Sequence, residues 1–186
     1  NDDFIIMFHP EHLDNNQKIK LKNIFLKDNI IKILHGAESL DIKYLFDKFF
    51  DNFYEKKQFL NNFYDTKFMC EYLNLKDKGG VFAKNKKCKI YQLLLKSKLI
   101  NKKILKKLEN NEKNMGPIYD IIVDVNKMSI ELIKYTLFDV FYLIKLFKKL
   151  NLNKKEHKLI NYFLHNTLLY RKVIENDIDL INKFNN

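Results

Sequence analysis

Lys32–Leu45 reads KILHGAESLDIKYL, and the rest of the chain can be organised around it. A β-branched run, IIKILHG, closes on His35-Gly36 in the manner of a buried strand, a short polar turn follows, and Asp41 opens a new apolar pattern. Open α/β folds place their ligands at the carboxyl ends of strands, so a carboxylate at this handover is a candidate functional group. Upstream, Phe4–His9 (FIIMFH) is a continuous apolar run closed by Pro10 and predicts another buried strand. Asn16–Lys27 carries Ile19, Leu21, Ile24, Phe25 and Leu26 on one broad helical face. Strand, helix, strand predicts a parallel crossover.

Downstream, Ser39 or Asp41 can cap a helix whose apolar positions are Ile42, Leu45, Phe46, Phe49 and Phe50. NNFYDT predicts a third strand running into a helix through Met69, Tyr72 and Leu73. The first 75 residues therefore repeat strand and helix, an α/β pattern. Lys76–Lys89, KDKGGVFAKNKKCK, joins a Gly pair to a cluster of lysines and predicts a basic loop, in which Lys84, Lys86, Lys87 and Lys89 are candidate nucleic-acid contacts. Two helical patterns follow over residues 89–113, then IYDIIVDV, which fits a strand or an extended loop. Ser129–Leu150 predicts one long amphipathic helix, with Ile130, Ile133, Leu137, Val140, Ile144 and Phe147 at spacings of three and four, and Lys154–Phe184 predicts one or two more helices.

Bulk composition narrows the class. With 46% apolar residues in a chain of 186, an ordinary core can be buried, and only 4 Gly and 2 Pro argue against a loop-rich sandwich. The formal charge of +11, carried almost wholly by lysine, favours polyanionic partners, although a biased composition and a solvated surface also account for many lysines. Cys70 and Cys88 have no CxxC spacing and no spaced His pair, which argues against zinc, and two unpatterned cysteines suit an intracellular, reducing compartment. His9, His12, His157 and His165 form no cluster. No apolar run is long enough to span a bilayer, so no membrane partner is expected.

Asp139 lies in YTLFDVFYLI, four residues after Tyr135, so phenol and carboxylate share a helical face. An Asp in so apolar a run is costly to bury without a partner, and a metal ion would be one. Three segments, KILHGAESLDIKYL, FYDTKFMCEYL and YTLFDVFYLIKLF, resemble in residue type, order and spacing the second and third motifs of the DEDDy 3′–5′ exonucleases, the ribonuclease D and Rrp6 branch above all.

The resemblance covers residues 4–150 and implies an α/β, ribonuclease H-like mixed sheet flanked by helices, with a helix-rich C-terminal half. Residues 1–150 would be an exonuclease-like domain and 151–186 a helical extension. Asp41 and Asp139 would hold two Mg²⁺ or Mn²⁺ ions, and Tyr135 would orient the attacking water. Hard divalent ions prefer carboxylate oxygen, and paired ions clamp an in-line displacement. The substrate would be single-stranded RNA or DNA, with RNA favoured by the His-Gly element. Asp65 matches the family's Asp-Thr pair and is expected to hold the neighbouring strand end, and Glu38 is an alternative carboxylate to Asp41. The family's first motif, Asp-x-Glu, is absent, and Asn1 stands where a Met would start a chain, so an upstream segment carrying the first strands, from the same or another chain, is expected. The alternative is an inactive relative that serves as a nucleic-acid-binding or scaffold module.

Overall fold

The computed structural model describes residues 5–38, 40–77, 88–115 and 127–176, and the backbone alone of Asp77, Met115, Asp139 and residues 170–176. After a short 3₁₀ turn at Pro10–His12 come α1 (Asn15–Phe25), β1 (Lys32–Leu34), α2 (Asp41–Lys48), α3 (Phe53–Phe59), β2 (Phe63–Asp65) and α4 (Thr66–Asp77). They are followed by α5 (Ile90–Lys96), α6 (Lys102–Met115), α7 (Ile130–Phe141), α8 (Leu143–Leu150) and α9 (Lys154–Asn176). IYDIIVDV, Lys84, Lys86 and Lys87 lie outside the described residues.

The expectation of a ribonuclease H-like mixed sheet is overturned: the described residues are mostly helical and hold only a two-stranded parallel sheet. β1 and β2 pair with Lys32 opposite Phe63 and Leu34 opposite Asp65. The apolar run at residues 5–9 forms no strand and leaves Ile6 70% exposed. A short apolar run carries the same signal whether or not a strand edge is there to receive it. Most apolar side chains instead sit at helical spacing, and helix packing, with α8 against β1, covers the small sheet.

Two apolar clusters make up the described core. In the first, Phe46, Phe50, Phe59 and Phe63 pack with Leu60 and with Leu164, Leu168 and Leu169 of α9. Phe59 lies at its centre, with its ring 5.0–6.3 Å from those of Phe25, Phe46, Phe50 and Phe63. The second gathers Cys70, Cys88, Tyr91, Leu94, Leu108, Tyr135 and Leu146. α4 and α8 connect the two halves, since α4 touches both α8 and α9.

Local chemistry sets the ends of these helices. Asp14 accepts from Gln17 N–H while Gln17 reaches back to Asp14 N–H, a reciprocal capping box that starts α1. Ser129 caps α7 through Leu132 N–H. The helix expected to run unbroken over 129–150 is two helices that meet at Tyr142. There is no Gly or Pro at the joint, and the back-bonds of Thr136 Oγ1 to the carbonyls of Leu132 and Ile133 lie more than a turn before it. Packing then takes the two pieces different ways, α7 toward α6 and α8 toward β1 and α4.

Candidate functional site

The handover at the end of β1 is fixed by the Asp65-Thr66 pair. Gly36 turns the chain at φ +67°, in the left-handed region that glycine enters without strain. Its N–H donates to Asp65 Oδ1 at 3.0 Å and that of Ala37 to Oδ2 at 2.8 Å, while Lys67 N–H donates to Oδ1 at 2.8 Å. The expected strand-end role of Asp65 is thus visible atom by atom: one buried carboxylate binds the turn after β1 to the start of α4. Thr66 Oγ1 donates to Leu34 O and lies 2.9 Å from His35 Nδ1. The His35 ring also bonds to the Cys88 backbone, and its pKa is lowered, chiefly by burial.

Beyond this turn, Asp41 is the first residue of α2; Leu40 holds the cap position without a side-chain cap bond, and Ser39 lies outside the described residues. Asp41 faces a cavity of about 560 Å³. The end of β1, including His35, forms one wall, and Lys89, Ile90, Tyr91 and Gln92 form another. Glu109 and Glu112 of α6 enter from a third side, and Tyr135, Val140 and Leu143 from the α7–α8 joint. Two of the three predicted catalytic residues, Asp41 and Tyr135, therefore line one cavity, and Lys89 of the predicted basic set joins them. Asp139 follows Tyr135 by one turn of α7, and its side chain is not among those described. Glu38, the alternative carboxylate, is ion-paired with Lys67 Nζ.

Asp41 is exposed as a residue, yet its carboxyl is held above the usual range, first by desolvation against the cavity wall and then by the like charge of Asp65. Tyr135, 9% exposed, is seated among Leu94, Leu108 and Leu146.

Sequence reasoning passed over Gln92, Glu109 and Glu112. Gln92 Nε2 donates to Glu109 Oε1 at 2.8 Å, joining α5 to α6 on the cavity wall. The only signal was that Glu109 and Glu112 share a helical face and follow a run of lysines. The pairing of Cys70 with Cys88 in a disulfide, Cα atoms 6.1 Å apart, was also not expected from their spacing; it ties α4 to the residue before Lys89.

Divalent ions suit these residues in donor type, since Asp41 offers carboxylate oxygen to the cavity. Among the described residues no three His, Cys, Asp or Glu side chains are grouped to hold an ion, and the Asp139 side chain is not among those described. Also among the described residues, no helix is long and apolar enough to cross a membrane.

No family model matches the chain, and no solved structure matches it. It is similar to the uncharacterized protein L533 of Acanthamoeba polyphaga mimivirus, with 32% identity over 149 residues, 75% of this chain and 28% of the relative. The chain therefore spans less than a third of that relative's length.

Proposed function

We propose that the protein is a phosphodiester hydrolase that shortens single-stranded nucleic acid, preferentially RNA, from its 3′ end with the help of Mg²⁺ or Mn²⁺. The observation that carries this reading is the meeting of Asp41 and Tyr135 in one cavity although 94 positions separate them in sequence. The three motif-like segments and the net charge of +11 add support. Divalent ions in such sites supply an activated water and stabilise the leaving oxygen. Of the chain's own residues, Asp41 and Asp139 are the assigned oxygen ligands. The phenol of Tyr135 can orient a water without competing as a strong ligand, because it both donates and accepts hydrogen bonds. Lys89 at the rim offers a cation to a phosphate.

The test uses 3′- and 5′-labelled single strands with Mg²⁺, Mn²⁺ or a chelator. A ladder shortening from the 3′ end, abolished by chelator, is expected. Asp139→Ala and Asp41→Asn should slow it by about 100-fold or more, and Tyr135→Phe by about 100-fold. No shortening, or shortening indifferent to Asp139→Ala, would sink the reading. The second reading, a non-catalytic nucleic-acid-binding module, is favoured by the absence of a three-donor group among the described residues. It predicts binding of the same strands with no shortening at all.

A further inference from the structure

α8 begins at the cavity, which Leu143 lines, and ends at a corner where Asn151 turns in the left-handed conformation before α9 starts at Lys154. Its buried side faces the core through Leu146, while Ile144 stays exposed. The opposite side shows Lys145, Lys148 and Lys149, at the three- and four-residue spacing that lines up side chains on one helical face. Lys154, Lys155 and Lys158 follow the corner in the first turns of α9, and all six are exposed. Among the described residues none of the six has an ion-pair partner.

Three further observations set this row apart from an ordinary solvated surface. From residue 140 to 158 the sole acidic residue is Glu156, and its carboxylate is taken up by Lys76 Nζ at 2.7 Å, Asn153 N–H at 2.8 Å and the Tyr72 hydroxyl at 3.4 Å. Lys154 and Lys155 also stand in the first turn of α9, the positive end of its macrodipole, where a cation is disfavoured unless an anion is near. At the cavity end of the row, the exposed ring of Phe141 lies 5.3 Å beneath Lys145 Nζ, a flat apolar surface beside a cation of the kind on which bases stack.

We propose that this lysine row is the track that carries a single-stranded nucleic acid between the cavity and the α8–α9 corner, its phosphates held by the lysines and one base laid on Phe141. The proposal rests on the reading of the cavity as a nucleic-acid site. Over its 8 residues α8 spans ~12 Å, so the track extends the contact well beyond a single nucleotide unit. An anionic membrane surface is the weaker partner, because a helix that lies in a membrane interface needs a continuous free apolar stripe, and of the apolar residues of α8 only Ile144 is exposed, with Val140 and Phe141 before it.

The test is fluorescence anisotropy with a labelled 20-nucleotide single strand, in chelator, across a salt series. The variant Lys148→Glu/Lys149→Glu/Lys154→Glu is compared with Lys102→Glu/Lys103→Glu/Lys106→Glu, which removes the same charge from α6. The track variant should bind at least tenfold more weakly and lower the salt slope by ~2, as for three lost phosphate contacts on a single strand. The α6 variant should lose less than about threefold, beyond the general effect of net charge. Equal losses in both variants, or no loss in the first, would overturn the track. So would loss of binding to phosphatidylserine vesicles while oligonucleotide binding is kept, which would assign the row to a membrane. Track-dependent binding without any shortening would refute the hydrolase reading and leave the track intact, whereas shortening and binding that both ignore the track variant would refute the track alone.

Discussion

At the scale of single residues, Asp65 and Asp41 show one chemical group in two settings. Asp65 is almost wholly buried but surrounded by N–H donors, so removing it strands the Gly36 and Ala37 amides. Asp65→Ala is expected to cost about 3 kcal/mol, read by urea denaturation, and Asp65→Asn less, because one acceptor oxygen survives. Asp41 has the opposite balance. The folded state holds its proton more tightly than the unfolded chain does, so ionisation penalises the fold once pH rises above the ordinary value of 3.8. That penalty is complete above the raised folded value and absent below 3.8. Asp41→Asn should therefore raise Tm at pH 8, with the gain shrinking toward zero near pH 3; an equal gain at both pH values would refute the assigned cause. The strand-end role of Asp65 was legible because Asp-Thr directly follows an apolar run. The link of His35 to Cys88 was not, since nothing in the spacing tells which loop meets that ring.

Among the elements, β1, β2, α1, α2 and α4–α6 follow from periodicity and end signals. α3 escaped notice, although its start is written in Asn52-x-x-Glu55: Asn52 Oδ1 accepts from Glu55 N–H, and the Glu55 carboxylate accepts from Asp51 N–H. Aromatic density drew attention away from it, yet that density is what α3 contributes. Phe59→Ala should lower stability by 3–5 kcal/mol (about that of other fully buried Phe truncations), measured by chemical denaturation. The joint at Tyr142 had no sequence signal because tertiary packing makes it. The cavity wall from α6 was hidden for the same reason: periodicity gives a helix its polar face but not what that face meets.

For the molecule as a whole, the deciding fact is where α9 goes. Leu164, Leu168 and Leu169 enter the same cluster as Phe46 and Phe59, so the C-terminal helix completes a core begun over 100 positions earlier. A chain ended at Leu150 should lose its cooperative thermal transition and bind a hydrophobic dye; a sharp transition in that truncated chain would contradict the packing described. The α/β reading failed at this scale. Strand signals at residues 4–9 are local, whereas the number of strands in a sheet is set by which edges find partners.

The Cys70–Cys88 bond also makes residues 70–88 a covalent ring. A protease that cuts once anywhere inside that ring leaves both fragments joined. The nicked protein should therefore migrate as a single species on a non-reducing gel and separate into two bands when a dithiol is added.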